Sequence, residues 1–312
     1  MAGTGAERRL GMLARQLGTQ GSRHDGQLLV LPCTTGHTEG TFRLGIIGLG
    51  AIGQDMLKLC AEDEVLRAKL SVPAVLVRRP RSETTPEHTL ITNEVEQFFA
   101  AGPYDAVLEV AGHATVVDHG ERVLSSGADF LVTSVGSFPA NVGLHKRLVA
   151  AAERGGSRLV VPSAGVGALD ILSAAAVGGL DSVSMVVRKD PSAWYGTIAE
   201  EQFDLPAIDA QGDPKIIFEG TAQEGSALYP QNVNISAAVA MAGLGLENTK
   251  LQIVADPTVD THVVEVSATG AFGSFNFTES VAISEHRKTG KIVAMAVAKT
   301  VKQLVSSFVI GH

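Results

Sequence analysis

Several features that define other protein classes are scarce in this sequence. Cysteine occurs only twice, at Cys33 and Cys60, so the chain cannot form a disulfide framework or a cysteine metal cage, which suits a reducing compartment. No apolar run approaches the roughly 18–20 residues needed to cross a bilayer. The net charge of -8 is acidic, and no basic stripe offers binding to a phosphate backbone. We therefore expect a cytoplasmic protein with no membrane span and no nucleic-acid partner.

Aromatic residues are also few, at 5%, so the core must be built from Ala, Val, Leu and Ile. By contrast, the sequence is 45% hydrophobic and holds 34 glycines among 312 residues, a profile typical of an α/β protein long enough for two domains. No group of Cys, His and Asp has the spacing of metal ligands, which predicts that no metal is bound.

Residues 1–42 differ from the rest of the chain. They carry Arg8, Arg9, Arg15 and Arg23 among scattered glycines, show little periodicity, and lack the apolar core of a secretory signal. An organellar transit peptide is one interpretation. We favour a flexible N-terminal extension or an over-long start to the reading frame.

Apolar runs and helical patterns alternate between residues 43 and 163. The runs "RLGIIGLG", "VPAVLVR", "YDAVLEVA", "DFLVTSVG" and "SRLVVPSA" are typical of parallel strands buried on both faces. The stretches between them, such as "AIGQDMLKLCAED" and "HATVVDHGERVLSSG", have helical spacing. This alternation predicts an α/β fold with a Rossmann-type doubly wound parallel sheet, that is, a dinucleotide-binding domain.

The spacing of apolar residues changes between residues 164 and 286. "DSVSMVVRKDPSAW", "PKIIFEG", "TKLQIVADP" and "THVVEVSATGAFGSFNF" alternate as strands with one exposed face do, and helices interrupt them near "LDILSAAAVGG" and "VNISAAVAMAGLG". This predicts a second α+β domain with an open mixed sheet, for substrate binding and dimerisation. We expect a C-terminal helix within residues 287–312 to complete the first domain.

Three glycines with the spacing G-x-G-x-x-G, namely Gly48, Gly50 and Gly53, lie where the first strand meets the first helix. The first permits a tight turn, the second lets a pyrophosphate approach the backbone, and the third allows close helix–strand packing. The helix start at Ala51 and Ile52 offers free N–H groups and a positive dipole end to phosphates. In this context the motif predicts binding of NADP or NAD.

The end of the second strand should lie beside the adenosine ribose. An NAD-selective site places Asp or Glu there, whereas this chain has Arg78, Arg79 and Arg81 and no acid before Glu83. An arginine can pair with a 2′-phosphate, so we predict that NADP is accepted at least as well as NAD. A solvated basic loop is the alternative.

Three of the nine histidines are candidates for proton transfer, for which histidine is the natural group near neutral pH. His113 follows a strand, His286 lies in "SEHRKTG", and His262 opens a strand after the turn "ADPTVD". His262 can face a cleft between the domains. A structural histidine fits the same pattern, so the residues alone leave its role open.

Many stretches of the chain, in one order from about residue 43 to 304, resemble the L-aspartate dehydrogenases. They include "GLGAIG", "EVAGHA", "GGSRLVVPSAGVGALDILSAAAVGGLDSV", "RKDPSAWYGT", "IIFEGTAQEGSALYPQNVNISAAVAMAGLGL" and "THVVEVSATGAFG". The resemblance implies NAD(P)-dependent dehydrogenation of L-aspartate to iminoaspartate, which hydrolyses to oxaloacetate and ammonia, in a family that feeds NAD biosynthesis. It also implies a catalytic role for His262 and cofactor contacts at Gly165 and Asn234.

The chain departs from the family pattern at two places. Ala164 and Gly165 invert the usual Gly-Ala order, and residues 286–290 replace the usual Asn-Pro-Lys-Thr-Ser while keeping Lys288 and Thr289. The loss of the proline puts any substrate-binding role of that segment in doubt.

Holding the two substrate carboxylates requires cations and hydrogen-bond donors. Candidates are Asn232, Asn234, Lys288 and Thr289, together with the amides of residues 163–167. Lys189 and Arg188 are further candidates, although both could instead simply end a strand.

Other functions stay open at this point. A homoserine dehydrogenase-like or dihydrodipicolinate reductase-like enzyme has the same two-domain plan, although the His-rich helix of the latter is absent from this sequence. A non-catalytic dinucleotide-binding redox sensor would bind cofactor without turnover. The exposed sheet face of the second domain would be buried well by a second copy, so we expect a homodimer.

Overall fold

The structure is a computed structural model that describes residues 40–79, 88–230, 233–282 and 291–311. Two sheets lie within one unit of the chain, residues 33–312. The first has seven strands and the second has five. The predicted fold class, a Rossmann-type sheet followed by a mixed-sheet domain, is confirmed.

Parallel pairing joins all strands of the first sheet, in the order β4-β3-β1-β5-β6-β7, with β2 paired to β1. Its strands are β1 (Phe42–Ile47), β2 (Leu70–Ser71), β3 (Ala74–Leu76), β4 (Leu90–Thr92), β5 (Ala106–Glu109), β6 (Asp129–Val132) and β7 (Leu159–Val160). Its helices are α1 (Ala51–Glu62), α2 (Glu64–Lys69), α3 (Val95–Ala100), α4 (His113–Ser125), α5 (Ser137–Ala140) and α6 (Leu144–Gly155).

Apolar side chains cover both faces of this sheet, as the continuous apolar runs predict. Leu44 and Ile46 of β1 are fully buried on one face, where they pack with residues of α1 and α2. Ile47 packs on the other face with residues of α4 and α6. The last helix, α12 (Ile292–Val305), contacts α1 and α2 and contributes Val297 and Val301 to the first of these two cores.

The second sheet is mixed, in the order β12-β11-β8-β10-β9, with β8 and β10 parallel and the other pairs antiparallel. Its strands are β8 (Leu180–Lys189), β9 (Lys215–Thr221), β10 (Thr249–Ala255), β11 (His262–Gly270) and β12 (Gly273–Val281). Helices α7 (Leu169–Gly178), α8 (Ile198–Gln202), α9 (Leu205–Gln211), α10 (Ala222–Leu228) and α11 (Val233–Ala242) accompany it, with a 3₁₀ helix at Pro191–Trp194.

Alternation along β8 separates the two faces of the second sheet. Val183, Met185 and Val187 are buried against the helices, whereas Ser184 and Val186 between them are only half-buried. The boundaries proposed at residues 42 and 163 remain predictions, since the two lobes share one unit of the chain.

Local patterns missed several elements. Helix α10 begins with a capping box, in which the Thr221 hydroxyl accepts from the Glu224 N–H and the Glu224 carboxylate accepts from the Thr221 N–H. The segment "TAQE" carries the sequence signature of this capping box. "THVVEVSATGAFGSFNF" contains two strands, β11 and β12, which pair as a hairpin up to Gly270 and Gly273.

Candidate functional site

The glycine turn between β1 and α1 has the geometry of a phosphate-binding turn. Gly48 has a φ of +106°, and a Cβ there would lie 2.7 Å from the backbone of Val110. A Cβ on Gly53 would lie 2.7 Å from the Gly48 carbonyl oxygen. These two positions therefore require glycine because the backbones approach too closely for a side chain.

Gly50 has the opposite environment, because a Cβ there would meet open space. Gly50 is also the N-cap of α1 and provides no side chain to cap it, and the first turn of the helix carries no acid. The first N–H groups of α1, at Ala51 and Ile52, therefore stay available to an anion, and the helix dipole favours one. These residues fit the pyrophosphate of a dinucleotide.

Arg78 and Arg79 lie just beyond β3, which is the neighbour of β1 in the first sheet, and both are exposed. In an open α/β sheet the carboxyl ends of neighbouring strands form one ligand-binding edge. Both guanidinium groups are thus available at the edge where the adenosine ribose of a dinucleotide would lie. Arg81 lies outside the described residues.

A cavity of about 410 Å³ adjoins this edge. The candidate residues predicted from sequence that line it are Ile52, His113, Lys189, Asn234 and His262, together with residues 163–166 of the small-residue loop, which include Gly165. Gly48, Gly50, Ala51, Gly53, Arg78 and Arg79 do not line it. Asn232, Lys288 and Thr289, like His286, lie outside the described residues, so their roles stay predictions.

His262 and Lys189 enter the cavity from adjacent strands of the second sheet. Val263 of β11 pairs with Arg188 of β8 at the end of this ladder, and His262 and Lys189 are the next residues along the two strands. Burial lowers the pKa of Lys189 to about 8. Desolvation, followed in size by the charge of Lys189, lowers the pKa of His262 to about 4. Near neutral pH His262 is therefore a neutral imidazole beside an ammonium group.

Arg188 does not share this position. Successive strand residues point to opposite faces, and the Arg188 guanidinium lies 2.7 Å from the carboxylate of Glu265 and 3.7 Å from that of Asp256. The Arg188 candidate for substrate binding is therefore not supported. The buried Asp256 also accepts from the N–H and the hydroxyl of Thr258, which holds the loop that leads into His262.

Asn234, at the start of α11, is tied to two residues of the first lobe. Its side-chain oxygen Oδ1 accepts from the N–H of Gly136 at 2.8 Å and lies 3.1 Å from Nε2 of His113. Since an amide oxygen only accepts, His113 must carry its proton on Nε2. These two bonds direct the Asn234 NH₂ group away from Gly136 and His113 and leave it available as a donor.

Glu109, at the end of β5, was not singled out by sequence analysis and lies at the base of the site. Its side chain is 0% exposed. Oε1 accepts from the N–H groups of Ala111 and Gly112 and from the hydroxyl of Ser134, and Oε2 accepts from the N–H groups of Thr133 and Ser134. Glu109 thus joins the ends of β5 and β6, whose following residues line the cavity. A charged residue inside the apolar run "AVLEVA" was the available signal.

The loop of residues 163–167 shows the consequence of the inverted Ala-Gly order. Ala164 has a φ of +47°, which is the left-handed region that favours glycine. Gly165 has no such φ, and a Cβ there would lie 3.2 Å from Cγ2 of Ile235. The strained residue is therefore Ala164, which lines the cavity.

The far end of this loop is held by the second sheet. The N–H of Gly167 donates to Oε2 of Glu279 at 3.2 Å. Burial raises the pKa of Glu279, and the bond from Gly167 only partly counters that rise.

Within the described parts of the chain, no group of three or more His, Cys, Asp or Glu side chains is arranged to hold a metal ion. No helix among those same residues combines the length and the apolarity needed to span a membrane.

Two family models and several curated relatives match the chain. The model described as "Aspartate dehydrogenase, C-terminal" matches residues 170–304, and that described as "Homoserine dehydrogenase, NAD binding domain" matches residues 48–162. The L-aspartate dehydrogenase of Ralstonia pickettii is 38% identical over 260 residues, which are 82% of this chain and 95% of that protein. The L-aspartate dehydrogenase of Pseudomonas aeruginosa is 39% identical over 260 residues, covering 81% and 94%.

A solved structure shares the fold. Aspartate dehydrogenase from Thermotoga maritima superposes with a TM-score of 0.66 at 21% identity, covering 86% of this chain and 99% of that one.

Proposed function

This chain belongs to the L-aspartate dehydrogenase family, as an NAD(P)-dependent amino-acid dehydrogenase, and from that premise we propose its products and site residues. The reaction converts L-aspartate to iminoaspartate, which hydrolyses to oxaloacetate and ammonia. Supply of the imine to NAD biosynthesis is the proposed role. The single observation that carries the proposal is the position of His262 in a cavity beside the glycine turn.

His262 is the proposed catalytic base. The substrate amino group must lose a proton as the α-carbon becomes the carbon of an imine, and a neutral imidazole within reach accepts it. The same imidazole then orients the water that attacks the imine. A pKa of about 4 keeps the His262 imidazole unprotonated and able to accept a proton near neutral pH, while it also makes the imidazole a weaker base than a free histidine.

The cofactor, NAD or NADP, supplies the hydride acceptor when it is bound. The proposed contacts are the Asn234 side chain, the backbone at Gly165, and N–H groups of the glycine turn and the start of α1. The turn and helix residues are Gly48, Gly50, Ala51, Ile52 and Gly53. The exposed Arg78 and Arg79 supply cations for a 2′-phosphate. We therefore expect NADP to be used at least as well as NAD.

The other enzymes considered have less support. The match described as a homoserine dehydrogenase domain is confined to the cofactor-binding half, residues 48–162, and the substrate half matches aspartate dehydrogenase. A cytoplasmic homodimer without a nucleic-acid partner stays part of the proposal, and sedimentation tests the dimer.

One assay tests the proposed reaction. Purified protein is incubated with NAD+ or NADP+ and a panel of L-aspartate, L-homoserine and other amino acids, and absorbance is followed at 340 nm. We expect reduction only with L-aspartate, with oxaloacetate and ammonia formed in equal amounts. Reduction driven equally by L-homoserine contradicts the proposed substrate, and cofactor binding without turnover supports the redox sensor instead.

A further inference from the structure

The charge of the cavity is unusual for a site that must hold a diacid. Among the described residues that line it, no side chain is Asp or Glu, and Lys189 is the only Lys or Arg. L-Aspartate with a neutral amino group carries two carboxylates. Moving a carboxylate out of water is unfavourable unless a cation or several donors replace its hydration. Among the described residues that line the cavity, Lys189 is the one that can supply this cation.

The fold places Lys189 where a bound carboxylate would be useful. Lys189 and His262 directly follow Arg188 and Val263, the end pair of the β8–β11 ladder, and both line the cavity. The same register continued along both strands puts the two side chains on one face of the sheet, where the charge of Lys189 acts on His262. An anion held by Lys189 would therefore place the rest of a four-carbon substrate beside the His262 imidazole.

The Lys189 side chain is also positioned by its neighbours. Its Nζ lies 5.1 Å from the centre of the Trp194 ring, and Trp194 is 0% exposed. Trp194 in turn packs edge-on against Tyr229, with ring centres 6.0 Å apart. A lysine fixed against a buried aromatic ring loses less freedom on binding an anion than a surface lysine does.

Resting on the proposed function, we infer that Lys189 binds one carboxylate of the substrate and so positions the amino group beside His262. Lys189 is thus a specificity-determining residue for dicarboxylates. A second consequence follows from the closeness of the two side chains. A bound carboxylate offsets the Lys189 charge, so His262 becomes a stronger base when the diacid is in place.

Two variants of Lys189 and one matched control test the inference. Lys189→Met keeps the length of the side chain and removes its charge, and Lys189→Arg keeps the charge. Lys250→Met is the control, since Lys250 is exposed on β10 of the same sheet and does not line the cavity. Two probes are used, L-aspartate in turnover and succinate binding to the enzyme–NADPH complex by fluorescence.

We expect Lys189→Met to weaken succinate binding and raise KM for L-aspartate by about 10- to 100-fold, the size of a lost charge-assisted hydrogen bond. NADPH affinity should stay within about twofold, and Lys189→Arg should recover part of the loss. The acid limb of kcat/KM should also move to higher pH in Lys189→Met, because the charge that disfavours protonated His262 is gone. A purely structural lysine would move that limb as well, so the discriminating result is the loss of succinate affinity with NADPH affinity kept.

Other results overturn the inference. Unchanged succinate affinity in Lys189→Met would contradict it. Covalent trapping of Lys189 by borohydride in the presence of oxaloacetate would also contradict it, because Lys189 would then be a nucleophile. If Lys189→Met loses NADPH binding by misfolding, the wild type decides: succinate affinity must fall as pH rises through about 8, where Lys189 deprotonates. The other described titratable groups in the wall are His113 and His262. Failure of this inference can be distinguished from failure of the proposed reaction, because succinate binding requires no turnover.

Discussion

Replacing Glu109 by Gln tests whether the buried carboxylate builds the base of the site. Glu109 accepts five hydrogen bonds, three at Oε1 and two at Oε2, from the segments that follow β5 and β6. Gln is nearly the same size, so the substitution leaves no cavity. It does replace one acceptor oxygen by an NH₂ group, which can only donate.

The magnitude follows from the geometry. The least costly orientation of the introduced glutamine side chain keeps its oxygen at the Oε1 position, with its three donors. Its NH₂ then faces the N–H groups of Thr133 and Ser134, which donate to Oε2 at 3.2 Å and 3.0 Å. The Ser134 N–H loses its acceptor, whereas the Thr133 N–H keeps a long bond of 3.4 Å to the backbone carbonyl of Glu109. A buried donor without an acceptor costs about 1–3 kcal/mol, so we expect a loss of about 1–3 kcal/mol in the free energy of unfolding, mostly from Ser134.

Urea unfolding of the wild type and of Glu109→Gln measures this effect, and Glu279→Gln is the matched control variant. The Glu279 carboxylate accepts a hydrogen bond from Gly167 at 3.2 Å and is less buried, so its substitution should cost less than about 1 kcal/mol. Cofactor affinity should fall in Glu109→Gln because Ala111–His113 and Thr133–Ser134 line the cavity. If the two variants lose the same stability, Glu109 does not hold these segments together and the reasoning is wrong.

The remaining predictions concern the site itself. His262→Ala should lower kcat by about 10²–10⁴-fold with cofactor affinity kept, whereas His119→Ala on α4 should be nearly neutral; a loss below tenfold removes His262 as the base. Because the pKa of His262 is lowered to about 4, its acid limb in kcat/KM should lie near pH 4, and a limb near 6.5 contradicts the burial argument. Replacing both Arg78 and Arg79 by Ala should lower kcat/KM for NADP by about tenfold and leave that for NAD unchanged; equal losses refute a 2′-phosphate contact. Ala164→Gly should stabilise the protein by about 0.5–1 kcal/mol in thermal unfolding, because it relieves a left-handed residue, and destabilisation would refute that strain.

Much of the first lobe could be predicted because its signals are local. The apolar run "LGII" is buried as β1, and the glycines after it form the predicted turn into α1. The strands β2 and β4 could not be found in this way. They have two and three residues, too few for a period to be visible, and they exist because β1 and β3 provide partners.

The candidate site could be predicted only in part from the sequence. His262 was indicated by its place after a turn, and Gly165 and Asn234 by resemblance to a family. Lys189 was one candidate among several because "VVRKD" does not say which basic residue faces inward. The strand register decided it, since Lys189 shares a face with Met185 and Val187 while Arg188 pairs with Glu265.

The sequence by itself determined the alternation of the longer strands and helices in the first lobe, the turn at Gly48–Gly53 and the family to which the chain belongs. These features depend on residues close together in the chain, so their periodicity and backbone freedom can be recognised within short stretches of sequence. Only the tertiary structure decided the contacts that make the cavity. His113 and Asn234 are 121 positions apart, and Arg188 and Glu265 are 77 apart. Such pairs are set by how the two sheets fold onto their helices, so the electrostatics of His262, which depend on Lys189 and on burial, arise only there.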